Sequence, residues 1–420
     1  MQVKVHGKAE KGAEVTLPSS KSLSHRALIT AALAEGTSRI RSMTESKDTE
    51  ATMRALSAAG VTFEKEGADI LVHGTGGRIL YHGDVIDCGE SGSTLRFLIP
   101  VFSTREGHFV FTGHGKLMER PQTVYEKIFS EQSLQFEKDG QCLITEGPLK
   151  AGKYVIDGSI SSQFISGLLF ALCMLEKDSE IEILPPYESA SYVGLTIDAL
   201  ARAGMHVEEN GLHYVVHGGG KYQPADCTVE GDDSQSAFFA ELAMVSGTDV
   251  IVHNLNHASR QGDRVIRKII ADMGGIVQEV HDGYCFRAGD LKGTTIDLGD
   301  CPDLGPALFA LATQAEGTTV FTNTRRLRIK ESDRVGCMEE ELRKLGCEIT
   351  SDENSVTIKG RTKIKGNVTV DGHNDHRIVM SLACLASCAE GPVTITDAQA
   401  VTKSYPDFFR DLKNTGVIVE

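Results

Sequence analysis

Positively charged side chains recur beside glycine and serine residues, at positions where they could bind an anionic substrate. The segment SKSLSHR (residues 20–26) places Lys21, His25 and Arg26 directly before the apolar run ALITAALA, so a helix is predicted to begin there. Cations at the amino end of a helix oppose its dipole and its free backbone N–H groups. They are explained either by a solvated face or by a bound anion that outweighs the dipole, and we expect the anion.

Further cations of this kind are spread along the whole chain. The formal net charge is −15, which disfavours a nucleic-acid or anionic membrane surface and makes any positive site local. Solvent exposure would explain each cation separately, whereas convergence on one anion site would explain the set. The remaining candidates are Arg96, Arg120, Arg326, Lys330, Arg334, Arg377 and Lys403.

Carboxylates accompany some of these cations. In RLRIKESDR, Lys330 and Arg334 are four residues apart, which predicts one helical face, and Glu331 is adjacent. Such a group could bind a carboxylate or a phosphate, or could be an ion-paired surface helix. Asp303 and Asp375 each precede an apolar segment and could be helix caps.

Two other short motifs have more than one interpretation. In SISSQF, the hydroxyls of Ser161 and Ser162 and the amide of Gln163 could bind a phosphate, although a serine N-cap explains the same pattern. In HNDH (residues 373–376), two histidines are three apart, but no third metal ligand follows from the sequence. Phosphate-binding loops of the GxxxxGK[ST] type are absent.

The elements that must position these side chains repeat six times. Each copy is a polar or Gly/Ser-rich loop, an apolar helix and a β-branched run, and the copies lie about 70 residues apart. A second helix pattern and short alternating runs lie between them, which predicts a mixed βα module. The copies begin at Ser19, Gly89, Gly158, Gly231, Gly299 and Gly372.

Length and composition agree with two domains of three modules each. The chain has 420 residues, 40% of them hydrophobic and 24% charged, which is typical of a globular protein. Domain crossings are expected near residues 16–20 and 228–234. We predict a cytoplasmic protein, because no signal peptide or membrane span is indicated. The ten cysteines form no CxxC pair, so neither a zinc site nor a disulfide framework is expected.

Ten motifs, in order, resemble those of the 5-enolpyruvylshikimate-3-phosphate synthase family. The resemblance extends from about residue 18 to residue 410, and so many ordered motifs are more specific than any one of them. They are SKSLSHRALITAALAEG, GESGSTLRF, MERPQTV, GSISSQF, SASYVGLTIDAL, VEGDDSQSAFF, PDLGPALF, RIKESDR, NDHR and TKSYPDFF.

The resemblance implies an α/β (α+β) fold, a two-domain inside-out barrel of six βαβαββ repeats with its active site in the interdomain cleft. The amino-terminal domain would comprise residues 18–229. Residues 1–17 and 230–420 would form the carboxyl-terminal domain, completed by the amino-terminal strand.

The resemblance also implies the reaction and the residues that perform it. The family transfers the enolpyruvyl group of phosphoenolpyruvate to the 5-hydroxyl of shikimate 3-phosphate and releases phosphate, with neither metal nor organic cofactor, and its members tend to be monomers. Asp303 would be the proton acceptor, Glu331 would handle the methylene proton, and Lys21 would contact both substrates. The other implied contacts to shikimate 3-phosphate are Ser22, Arg26, Ser161, Ser162, Gln163, Ser189, Tyr192, Asp303 and Lys330. Those to phosphoenolpyruvate are Lys21, Gly92, Arg120, Gln163, Arg334, Arg377 and Lys403.

Two departures and two rival functions complete the sequence picture. Arg326 stands where the usual pattern has asparagine, and Ser93 and Phe97 replace common residues of the glycine loop. The nearest rival is a UDP-N-acetylglucosamine enolpyruvyl transferase, which usually carries a reactive cysteine before the RP pair, yet GHGKLMERP has none. A non-catalytic anion-binding relative would be expected to lose Asp303, Glu331 or several cations, and all are present.

Overall fold

The polar segments that begin the six repeats are each followed by an α-helix in the computed structural model, which describes all 420 residues. These six helices have odd numbers in chain order, and the even-numbered helices lie between them. The twelve helices are α1 (Lys21–Leu33), α2 (Lys47–Ser57), α3 (Gly92–Phe102), α4 (Thr123–Glu131), α5 (Ser162–Leu172), α6 (Ala190–Arg202), α7 (Asp233–Ser246), α8 (Ile266–Asp272), α9 (Gly305–Ala312), α10 (Arg334–Lys344), α11 (His376–Ala386) and α12 (Phe408–Asn414).

Short strands alternate with the helices along the chain. The strands are β1 (Val3–His6), β2 (Ala13–Thr16), β3 (Glu35–Arg41), β4 (Thr62–Glu66), β5 (Asp69–Thr75), β6 (Ile86–Asp87), β7 (Gly107–Thr112), β8 (Phe136–Asp139), β9 (Cys142–Gly147), β10 (Lys153–Asp157), β11 (Ser179–Leu184), β12 (Val207–Asn210), β13 (His213–Val216), β14 (Cys227–Thr228), β15 (Asp249–His253), β16 (Ile276–Val280), β17 (Gly283–Arg287), β18 (Thr295–Asp297), β19 (Thr318–Thr322), β20 (Glu348–Ser351), β21 (Ser355–Lys359), β22 (Val368–Val370), β23 (Val393–Ile395) and β24 (Ile418–Val419). Five short 3-10 helices connect other elements, among them Pro302–Leu304 and Arg325–Ile329.

The strands form six sheets of four strands, and every sheet contains one parallel and two antiparallel pairs. A pattern that recurs with each repeat confirms the predicted α/β fold of six mixed modules. The strand orders are β14-β3-β5-β4, β6-β7-β9-β8, β10-β11-β13-β12, β16-β17-β15-β2, β18-β19-β21-β20 and β22-β23-β1-β24.

The chain divides into two compact units, each with three of the sheets and its own hydrophobic core. Unit 1 consists of Met1–Pro18 and Glu230–Glu420, and unit 2 consists of Ser19–Val229. The amino-terminal residues belong to unit 1 because β1 pairs with both β23 and β24, while β2 pairs in parallel with β15.

The odd-numbered helices form the interior of each unit. Every residue of α7, α9 and α11 is buried, and these three helices pack against one another in unit 1. In unit 2, α3 packs against α5, and α1 packs against α6. Helices that are buried on all sides are surrounded by other elements, so their polar amino ends are held in fixed positions. No helix has both the length and the apolar character that crossing a membrane requires.

Candidate functional site

In unit 2, Arg26 is a buried cation whose hydrogen bonds go to neutral oxygen atoms. Its Nε donates to Thr196 Oγ1 at 2.9 Å, and its terminal nitrogens donate to the carbonyls of Ser22 at 2.6 Å and Tyr192 at 2.8 Å. Burial lowers the pKa of Arg26 to about 10, partly opposed by Tyr192, so the guanidinium stays charged at neutral pH. Three of its five N–H groups make these bonds, which leaves the group able to donate to an anion.

His25 and Lys21, on the same first turn of α1, have specific partners. His25 is buried and its Nδ1 contacts Thr52 Oγ1 at 2.7 Å; a chain of hydroxyl contacts continues through Thr94 to Ser91. Burial, together with Lys21 and Arg26, holds the pKa of His25 well below its usual value, so its imidazole is neutral. His25 is therefore a buried, hydrogen-bonded imidazole, and it does not add a charge to the cations at this helix start.

Lys21 pairs with a carboxylate that the sequence did not single out. Its Nζ lies 2.9 Å from Asp48 Oδ2, on the first turn of α2. Lysine is a point charge on a flexible stem, so a substrate phosphate can share the ammonium with Asp48.

Glycine at position 92 leaves room for a guanidinium at the start of α3. A Cβ at this position would lie 2.8 Å from a terminal nitrogen of Arg120 and 3.6 Å from Gln163 Oε1, so these three residues come together. Gln163 also accepts from Arg96 at 2.9 Å and donates to Ser93 Oγ at 3.0 Å. Arg96 itself donates to the carbonyl of Pro121 at 3.0 Å and lies over the ring of Phe164.

The other predicted phosphate ligands lie at two helix starts of the same unit. Ser161 is the N-cap of α5, where its hydroxyl accepts from the amide of Gln163 at 3.3 Å, and Ser162 is the first residue of the helix. Ser189 is buried in the left-handed backbone conformation at the N-cap of α6, which packs against α5. The capping interpretation of Ser161 is confirmed, and it does not exclude a ligand on the remaining N–H groups.

In unit 1, Arg334 connects three carboxylates. Its side chain is 1% exposed; Nε donates to Asp375 at 2.9 Å and the terminal nitrogens donate to Asp303 at 3.0 Å and Glu331 at 2.6 Å. Asp375 is fully buried, caps α11 through the amide of Arg377 at 2.9 Å, and accepts from Ser332 at 3.0 Å. The guanidinium thus fixes the carboxylates of Asp303 and Glu331 on one rigid fork.

Asp303 receives two more cations. Arg377 donates to its second carboxylate oxygen at 3.0 Å, and Lys330 Nζ lies 3.3 Å from the first. Burial alone would raise the pKa of Asp303, but Arg377, Lys330 and Arg334 outweigh burial and hold it well below its usual value. Burial lowers the pKa of Lys330, with Asp303 opposing and Arg326 contributing in the same direction as burial.

The last two predicted phosphoenolpyruvate ligands border the loop before α11. Arg377 also donates to Ser234 Oγ at 3.0 Å and to the carbonyl of Asp303 at 3.2 Å. Lys403 is buried and its Nζ donates to the carbonyl of Asn374 at 2.6 Å.

Two interpretations from the sequence are wrong. Lys330 and Arg334 do not share a helix: Lys330 follows the 3-10 helix Arg325–Ile329, and α10 begins at Arg334 because Asp333 caps it at Gly336 N. They converge through Asp303 instead. Asp303 is not a helix cap either, since its carboxylate oxygens accept from the three cations.

The carboxylates of this site are not arranged for a metal ion. Arg334 and Arg377 already neutralise Asp303, and Asp375 faces the same guanidinium. Two groups whose ligand atoms could hold a metal lie elsewhere, namely His206, Glu208 and His217, and Glu340, Glu341 and His373. HNDH contributes only His373 to either group.

The two sets of side chains suit different chemical tasks. Unit 2 offers guanidinium, amide and hydroxyl donors that can bind an anion. Unit 1 offers two carboxylates on one guanidinium, surrounded by cations that can stabilise a developing negative charge.

Comparison with known proteins gives one consistent result. Residues 5–412 match the family model described as EPSP synthase (3-phosphoshikimate 1-carboxyvinyltransferase). A 3-phosphoshikimate 1-carboxyvinyltransferase from Clostridium kluyveri is 42% identical over 406 residues, covering 96% of this chain and 95% of the relative. One from Clostridium novyi is 40% identical, with 98% and 97% covered.

Solved structures agree with the sequence relatives. An EPSP synthase from Acinetobacter baumannii matches with a TM-score of 0.80 and 28% identity, covering 100% of both chains. The enolpyruvyl transferase NikO from Streptomyces tendae matches with a TM-score of 0.81, covering 100% of this chain and 98% of that one. Its identity of 15% supports the fold alone.

Proposed function

Since the chain belongs to the EPSP synthase family, we propose that it transfers the enolpyruvyl group of phosphoenolpyruvate to the 5-hydroxyl of shikimate 3-phosphate and releases phosphate. The observation that carries this proposal is the fork of Arg334, which holds Asp303 and Glu331 among further cations. Addition of a hydroxyl to an enol phosphate requires one group that accepts a proton and one that donates a proton, together with positive charge for the phosphate.

In unit 2, the proposed ligands of shikimate 3-phosphate lie around the Arg26 guanidinium and at two helix starts. The Arg26 guanidinium donates hydrogen bonds to the carbonyls of Ser22 and Tyr192. We assign this guanidinium to the shikimate carboxylate. The hydroxyls and backbone N–H groups at two helix starts can bind the phosphate. The residues there are Ser161, Ser162, Gln163 and Ser189. Lys21 is assigned to both substrates.

Phosphoenolpyruvate is assigned to cations of both units. Gly92, Arg120 and Gln163 come together in unit 2. In unit 1, Arg334 and Arg377 contact Asp303, and Lys403 borders the loop that carries Arg377. Guanidinium groups bind carboxylate and phosphate oxygens through paired donors, and the ammonium of Lys403 adds a point charge.

The reaction is an addition followed by an elimination. The 5-oxygen bonds to carbon 2 of phosphoenolpyruvate while the methylene carbon gains a proton, which gives a tetrahedral ketal. The bond from carbon 2 to the phosphate oxygen then breaks as the methyl group loses a proton and the double bond returns. We assign acceptance of the hydroxyl proton to Asp303, and the methylene proton to Glu331, with Lys330 beside the ring.

Substrate anions should strengthen Asp303 as a base. Before binding, Arg377, Lys330 and Arg334 hold the pKa of Asp303 well below its usual value against the effect of burial, so its carboxylate is a weak base. An anion that shares these cations removes part of their stabilisation of the carboxylate and raises its pKa. Basicity therefore increases only when the reacting substrates are present.

A phosphate-release assay tests the proposal against its nearest alternative. Purified protein with phosphoenolpyruvate is mixed either with shikimate 3-phosphate or with UDP-N-acetylglucosamine. Release only with shikimate 3-phosphate supports the proposal, while release only with the nucleotide sugar would replace it with the alternative transferase. No release with either acceptor would overturn transferase activity, provided that circular dichroism shows folded protein.

Two narrower properties also belong to this proposal and rest on the family resemblance. We propose that the protein works as a monomer in the cytoplasm. Sedimentation velocity at assay concentration should give a single species with the mass of one chain, and a dimer that persists on dilution would contradict it.

A further inference from the structure

A hairpin of unit 2 places three side chains of types that commonly bind metal ions on one face. His206 immediately precedes β12, Glu208 lies within it, and His217 immediately follows β13. Val207 pairs with Val216, and the amide of His217 donates to the carbonyl of His206 at 3.2 Å, so the two histidines are opposite each other. Glu208 lies two residues after His206 and therefore points to the same side.

The distances within this group suit a small cation. One ligand atom from each residue lies within 4.8 Å of the other two, and the imidazole centroids are 4.8 Å apart. His217 Nε2 is 2.9 Å from a carboxylate oxygen of Glu208, and its Nδ1 is 3.3 Å from Asp178. Histidines that bind metals commonly donate their second N–H to a carboxylate, which fixes the ring.

We propose that His206, Glu208 and His217 bind a divalent transition-metal ion of the Zn²⁺ or Ni²⁺ type, with Asp178 orienting His217. Two imidazoles and a carboxylate are ligands that these ions prefer, and solvent would complete the coordination. The site would clamp β12 to β13 at the end of the hairpin opposite its turn.

Another hairpin of the same unit provides a natural control. In β4–β5, Thr62, Glu64 and His73 take the positions of His206, Glu208 and His217: Thr62 pairs with His73, and Glu64 lies 3.2 Å from the imidazole. The second ring nitrogen of His73 contacts Thr37 at 2.9 Å. The main difference is a threonine in place of the first histidine, which leaves one imidazole and one carboxylate.

The other candidate metal group already contains a cation. Lys344 Nζ lies 2.8 Å from Glu341 and 2.9 Å from Glu340, in the group that His373 completes. A divalent ion there would have to displace the ammonium. The hairpin group contains no such internal cation among its contacts, so the proposal is confined to it.

Isothermal titration with ZnCl₂ at about pH 8 tests the proposal on full-length, tag-free protein. We expect one tight equivalent of Zn²⁺. His206→Thr, which copies the β4–β5 hairpin, should weaken it about 100-fold, and Asp178→Asn about tenfold. His73→Ala, which removes the corresponding histidine of the β4–β5 hairpin, should leave binding unchanged.

The reverse exchange gives a gain of function. Thr62→His should create a second equivalent of Zn²⁺ that His206→Thr does not remove. Absence of a tight equivalent in the unaltered protein, or the same loss with His73→Ala as with His206→Thr, would overturn the site. Unchanged phosphate release or unchanged circular dichroism in each variant verifies that the chain is folded. Both of these controls are independent of the zinc titration.

Discussion

The buried guanidinium groups of Arg26 in unit 2 and Arg334 in unit 1 are compensated in opposite ways. In unit 2, Arg26 bonds to two carbonyls and a hydroxyl. In unit 1, Arg334 bonds to three carboxylates and Arg377 bonds to one of them. Neutral acceptors orient a guanidinium without cancelling its charge, whereas carboxylates both orient and neutralise it.

This difference corresponds to the two parts of the proposed reaction. A cation that keeps its charge attracts an anion from solution, as binding of shikimate 3-phosphate requires. A cation that is shared with carboxylates has a different effect. Each hydrogen bond that it makes to the substrate weakens its interaction with Asp303 and so raises the pKa of that carboxylate. Arg26 is therefore suited to attracting shikimate 3-phosphate, and the carboxylates held by Arg334 are suited to the proposed proton transfer.

The largest expected effect is on turnover when the acceptor carboxylate is removed. Asp303→Asn should lower kcat about 10²- to 10⁴-fold, the usual contribution of a positioned base. The KM for phosphoenolpyruvate should stay the same or fall, because Lys330, Arg334 and Arg377 lose a competing anion. Steady-state phosphate release measures both quantities.

A surface substitution controls for this result. Asp272→Asn removes an exposed carboxylate of unit 1 that pairs only with a neighbouring lysine in its helix, and activity should not change. A rise in KM as large as the fall in kcat for Asp303→Asn would mean that Asp303 only holds the site together.

The second effect is on the stability of unit 1. Arg334→Met leaves Asp375, which is 0% exposed, without its guanidinium, and should lower the free energy of unfolding by about 3–5 kcal/mol. Arg343→Met, which removes an exposed ion pair on the same helix, should lower it by less than about 1 kcal/mol. Urea unfolding followed by circular dichroism measures both, and similar small losses would contradict the buried network.

Local pattern predicted the repeats because the polar loop and the apolar helix of each repeat are contiguous in the chain. The polar loop and apolar run that begin at Ser19 or Gly372 become α1 and α11, and the family, the six modules and the activity of the relatives followed from such motifs. Asp375 was expected to cap a helix, and it does.

What the sequence missed depends on residues far apart in the chain. Thr196 is 170 residues from Arg26, and Asp48 is 27 residues from Lys21, so no local spacing announces either contact. The helix expected across Lys330 and Arg334 failed because the Asp333 cap starts α10 later than residue spacing alone indicates.

The third effect separates charge from compensation. Arg26→Met removes a cation as buried as Arg334 but leaves only neutral oxygens unpaired, so the loss of stability should be smaller, about 1–3 kcal/mol. Its main effect should be weaker binding of shikimate 3-phosphate, by about tenfold or more, since a charge-assisted bond is lost. Calorimetric titration of that ligand measures the change.

Two results would break this part of the comparison. One is a stability loss for Arg26→Met that equals the loss for Arg334→Met in the same urea experiment. The other is unchanged affinity for shikimate 3-phosphate in Arg26→Met, with Arg202→Met as the control on the exposed end of α6.

The smallest effect is a pH dependence that belongs to unit 2. The pKa of His25 in the folded protein lies well below 6.5 because of burial, Lys21 and Arg26, so the unfolded chain binds more protons below that pH. Stability should therefore fall as pH drops below 6.5, by at most about 1.4 kcal/mol per pH unit. His25→Gln should flatten this slope in urea unfolding measured at several pH values, while His108→Gln, on a surface strand, should keep it. A slope that survives in His25→Gln would mean that the proton is taken up elsewhere and that the burial of the His25 imidazole does not cause the pH dependence.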